Sequence, residues 1–454
     1  MAQMSSPLLS FPSGIVARVW PADRVVAGLR VCKHLREELL SSGRILLVKR
    51  RNANVKEEDV VEDLRRVLQQ AVTLRWGGCA AVLAKALSDS ACGAALQGFV
   101  AYRSCALGKE GAATLEAVLG KCEALTHLDL KSNRIDDIGM EAIASVVEKC
   151  TALVHLDLSF NSIGAVGMWK LAQTLKRCKA LTHLDMRMNG GQPALLVDAL
   201  VQLQALTFLD IGMNHICVQG AEVLAAALSQ AQCTSLTHLG LGGTTFRAEH
   251  LAHFGDVFRA CPQIARLDLS SNHFRELGAQ YLAKELCACL SLAHLDLTRN
   301  SLEDAGASAL ASSLSQCSAL ATLIVAHNGI EDAGATQLAD ALAECTSLTH
   351  LDMSYNEVAS AGAEKLGAAL GVAGSRLKHL DVGHNTGIGD EGGRALVVAL
   401  QACSALSHLS LHATSLAPAH ERLQASAAAA GDKGAFGGFP LWGAQAVAGG
   451  GGGG

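Results

Sequence analysis

The sequence predicts an α/β solenoid, a fold in which one short strand and one helix are repeated along the chain. Three observations predict it: a pattern of leucines closed by an asparagine recurs along the chain, an apolar segment of helical period follows it, and aromatic residues are only 4% of a chain that is 50% hydrophobic. A single core stops growing near ~250–300 residues, and this chain has 454. A repeat array has no such limit, because each unit contacts only its neighbours.

The strand of each unit is predicted from the pattern L-x-x-L-x-L-x-x-N, which runs from Leu125 to Asn133 in the first clear copy. Leu128 and Leu130 alternate with polar residues, so both point to one side of a strand. Asn133 ends the strand, where its amide can bond the backbone of the turn. The closing position is held in eleven copies by Asn133, Asn161, Asn189, Asn214, Thr244, Asn272, Asn300, Asn328, Asn356, Asn385 and Thr414. Successive copies lie 28, 28, 25, 30, 28, 28, 28, 28, 29 and 29 residues apart.

The helix of each unit is predicted from a small-residue opening followed by apolar residues of helical period, such as the segment from Met140 to Val147. The opening glycines are Gly139, Gly167, Gly220, Gly278, Gly306, Gly334 and Gly362. One unit cannot bury both its strand face and its helix face, so neighbouring units must stack. We therefore expect a curved solenoid with parallel strands on the concave side and helices on the convex side.

These repeats resemble the ribonuclease-inhibitor type of leucine-rich repeat, including the repeats of NOD-like receptors, over residues 96–416. Leu96 to Ser104 is interpreted as a degraded first copy that suits the end of an array. We predict an N-terminal helical segment at 1–52, which is F-box-like or a cap, and a helical lead-in at 53–95. Residues 417–454, rich in glycine and alanine, are predicted to form a disordered tail.

Nine of the fifteen cysteines lie three residues before the first leucine of a repeat, or before Ile264 in its place: Cys122, Cys150, Cys178, Cys233, Cys261, Cys289, Cys317, Cys345 and Cys403. Metal or redox chemistry is one interpretation, but the sequence contains no C-x-x-C pair. The other interpretation, which the family resemblance also implies, is a ladder of small buried thiols. It favours reduced structural cysteines and a cytoplasmic protein.

Two positions of the predicted strand repeat a polar residue. The position before the second leucine is histidine in His127, His155, His183, His238, His294, His350, His379 and His408. The position after it is aspartate in Asp129, Asp157, Asp185, Asp210, Asp268, Asp296, Asp352 and Asp381. Strands stacked about 4.8 Å apart would align these as two columns, in which imidazolium groups could offset the repulsion between carboxylates. The columns suggest either a pH-responsive or metal-collecting surface, or a tolerated surface pair copied by duplication.

Specific binding is expected where the copies differ, at the strand and at the two positions after it. The predicted partner-binding residues on the concave face are Phe160, Arg187, Met188, Phe208, Met213, Arg299, His327, Tyr355 and His384. Phe160, Met188 and Met213 occupy equivalent places in consecutive copies. An exposed apolar strip of this kind either marks a partner site or is ordinary variation.

Residues 11–40 resemble the later half of an F-box, the short helical module that docks a substrate receptor onto a Skp-type adaptor. Asp23 suits the N-cap of an amphipathic helix, and Val31-Cys32-Lys33 matches the Val-Cys-basic run of that family. Two features depart from the family pattern: the stretch from Pro12 to Asp23 is about three residues short, and Leu35 stands where tryptophan is usual. The alternative interpretation is a helical N-terminal cap for the solenoid.

The function predicted from the sequence is a protein-interaction scaffold, monomeric and without a cofactor, whose partner stays unidentified. The main alternative is a substrate receptor of a cullin-type ubiquitin ligase. No nucleotide-binding loop, hydrolase elbow, zinc-protease or dinucleotide motif is present, so we predict no enzyme activity. A less favoured alternative is a GTPase-activating protein of the Ran type, which shares this repeat type. Those proteins have a strongly acidic C-terminal tail, whereas this tail is rich in glycine and alanine. A net charge of −5 predicts no nucleic-acid partner, and the lack of a long apolar segment predicts no membrane span or signal peptide.

Overall fold

The computed structural model describes residues 96–101, 107–230, 234–286, 289–371 and 376–415, and the backbone of four strands nearer the N-terminus. In this part of the chain, short parallel strands alternate with helices in the order that the repeats predict. The α/β solenoid is confirmed.

One parallel sheet contains fourteen strands, and each strand lies beside its neighbours in sequence. The sheet is formed by β3 (Ile45–Lys49), β4 (Thr73–Gly77), β5 (Gly98–Ala101), β6 (His127–Asp129), β7 (His155–Asp157), β8 (His183–Asp185), β9 (Phe208–Asp210), β10 (His238–Gly240), β11 (Arg266–Asp268), β12 (His294–Asp296), β13 (Thr322–Ile324), β14 (His350–Asp352), β15 (His379–Asp381) and β16 (His408–Ser410). A separate antiparallel pair joins β1 (Leu9–Ser10) to β2 (Val16–Ala17).

The helices lie between successive strands. The described ones are α1 (Gly108–Leu119), α2 (Asp137–Lys149), α3 (Ala165–Leu175), α4 (Val197–Leu200), α5 (Val218–Gln230), α6 (Ala248–Leu251), α7 (Gly255–Ala260), α8 (Arg275–Leu286), α9 (Glu303–Leu314), α10 (Asp332–Glu344), α11 (Ser360–Leu370) and α12 (Asp390–Ala402). Each packs against the helix of the next repeat where both are regular.

The core is one continuous layer between the sheet and the helices. Leu128 pairs in register with Leu156, and Leu156 with Leu184, so the central leucines of successive strands form one buried row. Ile143 and Val147 of α2 cover this row from the helix side and are fully buried. The register follows from the period of two in a strand, because a slip by one residue would turn every leucine to solvent.

The sheet extends further towards the N-terminus than the sequence predicts. β3 and β4 lie inside the segments 1–52 and 53–95, for which we predicted helices, so that prediction is wrong for these ten residues. Their spacing to β5 is that of the repeats, although they lack the closing asparagine. β5 pairs in register with β6, so the segment that begins at Leu96 is a copy of the repeat. It is neither the first copy nor the end of the array, because β4 pairs with its other edge. The other boundaries, including 417–454, lie outside the described residues.

A ladder of buried asparagine side chains holds the turns after the strands together. The Asn161 side chain accepts the backbone N–H groups of Asn133 and Ile135, at 2.9 and 3.0 Å, and donates to the carbonyls of Leu130 and Leu158. One amide therefore satisfies backbone groups of two neighbouring repeats, as predicted for Asn133. Without it the two N–H groups and the Leu130 carbonyl would lose these bonds, which is costly for buried groups, while the Leu158 carbonyl would keep its bond from Asn189.

A second set of contacts between repeats caps the helices. Asp137 at the start of α2 accepts the backbone N–H groups of Gly164 and Gly167, both at 2.7 Å, at the start of α3. Asp304 and Asp332 cap the next helix in the same way. A helix N-terminus has unpaired N–H groups and a positive end, so a carboxylate there is favourable. These caps are not evident from one repeat of the sequence, because each aspartate caps the helix of the following repeat and not its own.

The centre of the array is irregular. A four-residue 3-10 helix at Pro193–Leu196 and the short α4 replace one regular helix, and α6 and α7 replace another. His250 stands where other repeats have the opening glycine, and its ring is buried against Phe246. The break between α6 and α7 follows this histidine, between Leu251 and Gly255.

The described cysteines of the predicted ladder are buried, and none of them forms a disulfide. The thiol of Cys150 donates to the carbonyl of Cys122 at 3.5 Å, and that of Cys178 to the carbonyl of Cys150 at 3.8 Å. Burial raises the pKa of Cys122 and Cys178 to about 11 and that of Cys150 to about 12. These thiols are therefore protonated and unreactive at neutral pH. Cys233 lies outside the described residues.

Candidate functional site

The surface formed by the strands, here called the strand face, carries three parallel rows of side chains. The histidine row consists of the residues at the position of His127. The aspartate row consists of those at the position of Asp129. The turn row consists of the residue directly before the closing asparagine or threonine of each repeat. Its members are Ser132, Phe160, Met188, Met213, Gly243, Ser271, Arg299, His327, Tyr355, His384 and Ala413. Parallel pairing in register aligns each row across the repeats.

The histidine row is a stack of rings. The ring centroids of His155 and His183 lie 4.1 Å apart, Phe208 lies 3.9 Å beyond His183, and His238 lies 4.2 Å beyond Phe208. A second stack joins His350 to His379 at 4.2 Å. Phe208, which the sequence predicts as a partner-binding residue, is thus a half-buried member of a stack with both faces covered.

The stacked imidazoles are uncharged at neutral pH. Burial lowers the pKa of His155 to about 4 and that of His183 and His238 to about 3. The same cause lowers the pKa of His294 to about 4. Our expectation that imidazolium groups offset the carboxylates is therefore wrong for these residues, because desolvation disfavours the charged ring.

The aspartate row is occupied by turn contacts. Oδ1 of Asp157 accepts the backbone N–H of Ser159 at 2.8 Å, and Oδ1 of Asp296 accepts that of Thr298 at 2.9 Å. Similar bonds recur in most repeats of the described chain, which gives the aspartates a structural role. Sequence reasoning placed them on the surface but missed this bond, which is an Asx-type turn contact.

A buried ion-pair network lies at the centre of the aspartate row. Arg187 contacts Asp185 at 2.9 Å and Asp210 at 3.4 Å, and only 8% of its surface is exposed. Burial, with the nearby Asp185 carboxylate, raises the pKa of Asp210 to about 7, against the opposing effect of Arg187. Arg187, a predicted partner-binding residue, therefore supports the surface from below.

The ring stacks are unsuited to chelation. In the part of the chain that the structure describes, no three His, Cys, Asp or Glu side chains are grouped so that they could hold a metal ion. A bound metal lies near the plane of each imidazole that ligates it. Parallel rings such as His155 and His183, 4.1 Å apart at an interplanar angle of 21°, cannot both meet that condition for one ion.

The turn row has a left-handed backbone. Its φ angles lie between 52° and 65° in the residues from Ser132 to Ala413, and Gly243 is the single glycine among them. A non-glycine residue in this region costs about 1–2 kcal/mol. The repeat geometry imposes this conformation, and the sequence pattern gave no sign of it. The row nonetheless carries phenylalanine, methionine, tyrosine, histidine and arginine.

The predicted apolar strip of Phe160, Met188 and Met213 is exposed. These side chains are 39%, 47% and 42% exposed, in consecutive repeats. The Phe160 ring lies between two cations, with Lys131 Nζ 5.0 Å and Arg187 Cζ 5.6 Å from its centroid. The next two residues of the turn row are Gly243 and Ser271. Two repeats with a small turn-row residue therefore separate the strip from the rest of the row.

The second part of the turn row is a stack of polar rings. His327 and Tyr355 lie 4.0 Å apart at 12°, and Tyr355 and His384 lie 3.9 Å apart at 10°. His412, which the sequence analysis did not select, makes an edge contact with His384 at 5.1 Å. Arg299 precedes His327 in the row and is exposed. The predicted site residues thus divide between two surface patches, with Phe208 and Arg187 beneath.

Six segments of the chain match the family described as Leucine Rich repeat: 121–144, 149–172, 288–311, 316–339, 344–367 and 376–397. Each spans the strand and the first part of the helix, and all but 376–397 also include the cysteine. The chain carries leucine-rich repeats. The stretch between residues 172 and 288 has no match, and it contains the irregular leucine-rich repeats with the divided helices. A comparison with curated protein sequences finds no match.

Two solved leucine-rich-repeat structures are similar to the chain. An internalin from Listeria monocytogenes str. 4b F2365 is 16% identical with a TM-score of 0.44, and the match covers 89% of this chain and 92% of that one. The plant peptide hormone receptor RGFR1, solved in complex with RGF2, is 16% identical with a TM-score of 0.38. That match covers 78% of this chain and 61% of the receptor.

Within the described residues, none of the helices has the length and apolar character needed to cross a membrane. The F-box-like segment 11–40 lies outside the described residues apart from β2, so the predicted contact with a Skp-type adaptor stays a prediction.

Proposed function

We propose that the chain is a protein-interaction scaffold that binds a macromolecular partner on its strand face. The observation that carries the proposal is the turn row. Phe160, Met188, Met213 and Tyr355 are between 39% and 47% exposed at left-handed positions where glycine would be favoured. Large side chains that are both solvated and held in a strained backbone are typical of binding surfaces.

The other side chains of the strand face already have contacts within the chain. The histidine and aspartate rows are stacked, hydrogen-bonded or ion-paired within the chain. Their repetition therefore has a structural explanation, and the residues that differ between repeats are the ones that distinguish one partner from another.

The proposal includes no catalytic activity, a monomeric chain of the ribonuclease-inhibitor repeat type, and a cytoplasmic location. The location is supported by the described cysteines of the ladder, which are buried and form no disulfide, since reduced thiols persist in reducing compartments. The irregular central repeats that interrupt the regular stack would set the shape of the surface offered to the partner.

The test is a comparison of two double variants in binding to a partner captured from native lysate by the full chain. Phe160→Ala with Met188→Ala removes the strip. Val166→Ala with Trp169→Ala removes two residues of the helix face that are 59% and 49% exposed, and serves as the matched control. We expect the strip variant to weaken binding at least about thirtyfold, the scale of an interface hot spot, and the control to leave the affinity unchanged. Equal affinity of the strip variant and the parent would reject the proposal.

The F-box-type alternative rests on the sequence of residues 11–40, with Val31-Cys32-Lys33 as its most specific feature. It is tested by the same capture with a version of the chain that lacks residues 1–52. A Skp-type adaptor and a cullin that co-purify with the full chain alone would favour a ligase receptor. Capture of neither by either version would favour an N-terminal cap.

A further inference from the structure

We propose that Arg299, His327, Tyr355 and His384 form a subsite for a carboxylate-rich segment of a protein partner. The inference rests on the proposed function and adds the chemistry of the partner at one part of the strand face. These four residues are consecutive members of the turn row and are here called the donor row.

The geometry of the rings determines what they offer to a ligand. Tyr355 is stacked on both faces, at 4.0 Å by His327 and at 3.9 Å by His384. A ligand at the surface therefore meets ring edges and not ring faces. The edge of an aromatic ring carries the positive part of its quadrupole, and the Tyr hydroxyl and an imidazole N–H are hydrogen-bond donors.

Arg299 adds a full positive charge at one end of the row. Among the residues that the structure describes, it makes no ion pair, whereas Arg187 in the other half of the strand face contacts two aspartates. Arg299 is close enough to His327 to contribute to the lowering of its pKa, after the larger effect of burial. A guanidinium with five donors beside a row of donor edges is complementary to carboxylates.

The neighbouring aspartates do not cancel this charge pattern. In β13, Ile324 replaces the aspartate beside His327. Oδ1 of Asp296 accepts Thr298 N–H and Oδ1 of Asp352 accepts Ser354 N–H, so these carboxylates already have partners in the row behind. Burial raises the pKa of both. Oδ1 of Asp381, in the strand that precedes His384, likewise accepts the N–H of Gly383 at 2.8 Å.

The same geometry favours a protein over a nucleic acid. Single-stranded nucleic acids bind through bases stacked on aromatic faces, and both faces of Tyr355 are covered. The apolar strip on the same face would then hold an apolar side chain of the partner. Strands β10 and β11, with Gly243 and Ser271 in the turn row, separate the strip from the donor row.

The inference is tested by selecting random twelve-residue displayed peptides on the immobilised full chain, and in parallel on Arg299→Glu. Peptides from the first selection are then measured by fluorescence anisotropy against Arg299→Gln, Tyr355→Phe and Phe160→Ala with Met188→Ala. Tyr355→Phe keeps the ring stack and removes the donor. Arg394→Gln, an exposed arginine on the helix face, is the matched control. A labelled twelve-nucleotide single-stranded DNA is measured alongside.

We expect Asp and Glu to be enriched on the parent chain and replaced by Lys and Arg on Arg299→Glu. Affinity should fall at least about tenfold in Arg299→Gln, the scale of a lost charge-assisted bond, and stay unchanged in Arg394→Gln. No selected peptide, no acidic enrichment, or an enrichment that does not reverse would overturn the inference. Peptides that depend on Phe160 and Met188 but not on Arg299 would overturn it while supporting strand-face binding. DNA that binds more tightly than the peptides through Arg299 would reject a protein as the occupant.

Discussion

Replacement of Asn356 by alanine is the sharpest test of how the repeats are held together. The Asn356 side chain accepts the backbone N–H groups of Asn328 and Ile330 at 2.8 and 3.2 Å, and donates to the carbonyls of Val325 and Met353 at 3.0 and 2.8 Å. Its exposed fraction is 6%, so water cannot replace these bonds without local opening. Asn356→Ala removes the partners of the two N–H groups and of the Val325 carbonyl, whereas the Met353 carbonyl keeps its bond from the Asn385 side chain at 3.0 Å.

The expected loss of stability is about 3 kcal/mol, at about 1 kcal/mol or more for each of the three buried groups left unsatisfied. Asn356→Thr is an informative intermediate, because Thr244 occupies the equivalent position and its hydroxyl donates to the Leu241 carbonyl at 2.7 Å. We expect the threonine variant to lose about half as much. Thr244→Asn, the reverse change in the irregular centre, should stabilise the chain.

Urea unfolding monitored by circular dichroism measures the total loss, and hydrogen exchange at the Asn328 and Ile330 amides measures its location. Both are needed, because a repeat array can open locally before it unfolds as a whole. If Asn356→Ala changed the stability by less than 1 kcal/mol and left the two amides protected, the asparagine ladder would not be what joins the repeats.

Three further predictions follow from buried residues. Leu295 is fully buried, so Leu295→Asp should cost about 4 kcal/mol or more; a melting curve that matches the exposed control Gln280→Asp would contradict the register. Burial lowers the pKa of His183 to about 3 in the folded chain. As the pH falls from about 6.5 towards 3, the unfolded chain binds a proton at this ring and the folded chain does not, so the free energy of unfolding decreases. His183→Phe should remove up to about 1.4 kcal/mol per pH unit of that loss, and parallel pH–stability curves for parent and variant would refute it. Iodoacetamide on the native chain, followed by peptide mapping, should label the exposed Cys217 but not Cys122, Cys150 or Cys178; labelling of these three before unfolding would show that the ladder is accessible.

The regular part of the fold could be predicted because each of its features repeats. Leu128 and Asn133 have counterparts at nearly constant spacing, so strand, turn and helix follow from one period. β3 and β4 could not be predicted, because they lack the closing asparagine and depend on the register of neighbouring strands for their place in the sheet. The division of a helix between α6 and α7 has a local signal, since it follows His250, which replaces a glycine.

The candidate site was predicted in position but not in role. Exposure of Phe160, Met188 and Met213 was predicted from their place after the strand, and the structure confirms it. Alternation alone would bury them, since each lies two residues after a buried apolar residue, and the left-handed backbone accounts for their exposure. Arg187 stands one residue before Met188 in sequence, yet it is drawn beneath the surface by carboxylates of its own strand and the next one. Pairing of this kind needs the distance between two repeats, which a single repeat pattern does not contain.

The contrast between the rows explains where binding specificity can arise in an array of this kind. A residue that recurs at the same position of neighbouring strands lies about 4.8 Å from its copy. Such a residue is favourable when it stacks or bonds with that copy, as His155 does with His183. The turn row has the opposite character, because its left-handed backbone favours no side chain and yet large side chains differ from one repeat to the next. Stacking does not account for Phe160 or Arg299, whose neighbours along the row are of different types. A partner that contacts these side chains would account for them. Its surface would have to match an apolar strip, two small residues and a row of hydrogen-bond donors, in that order along the turn row.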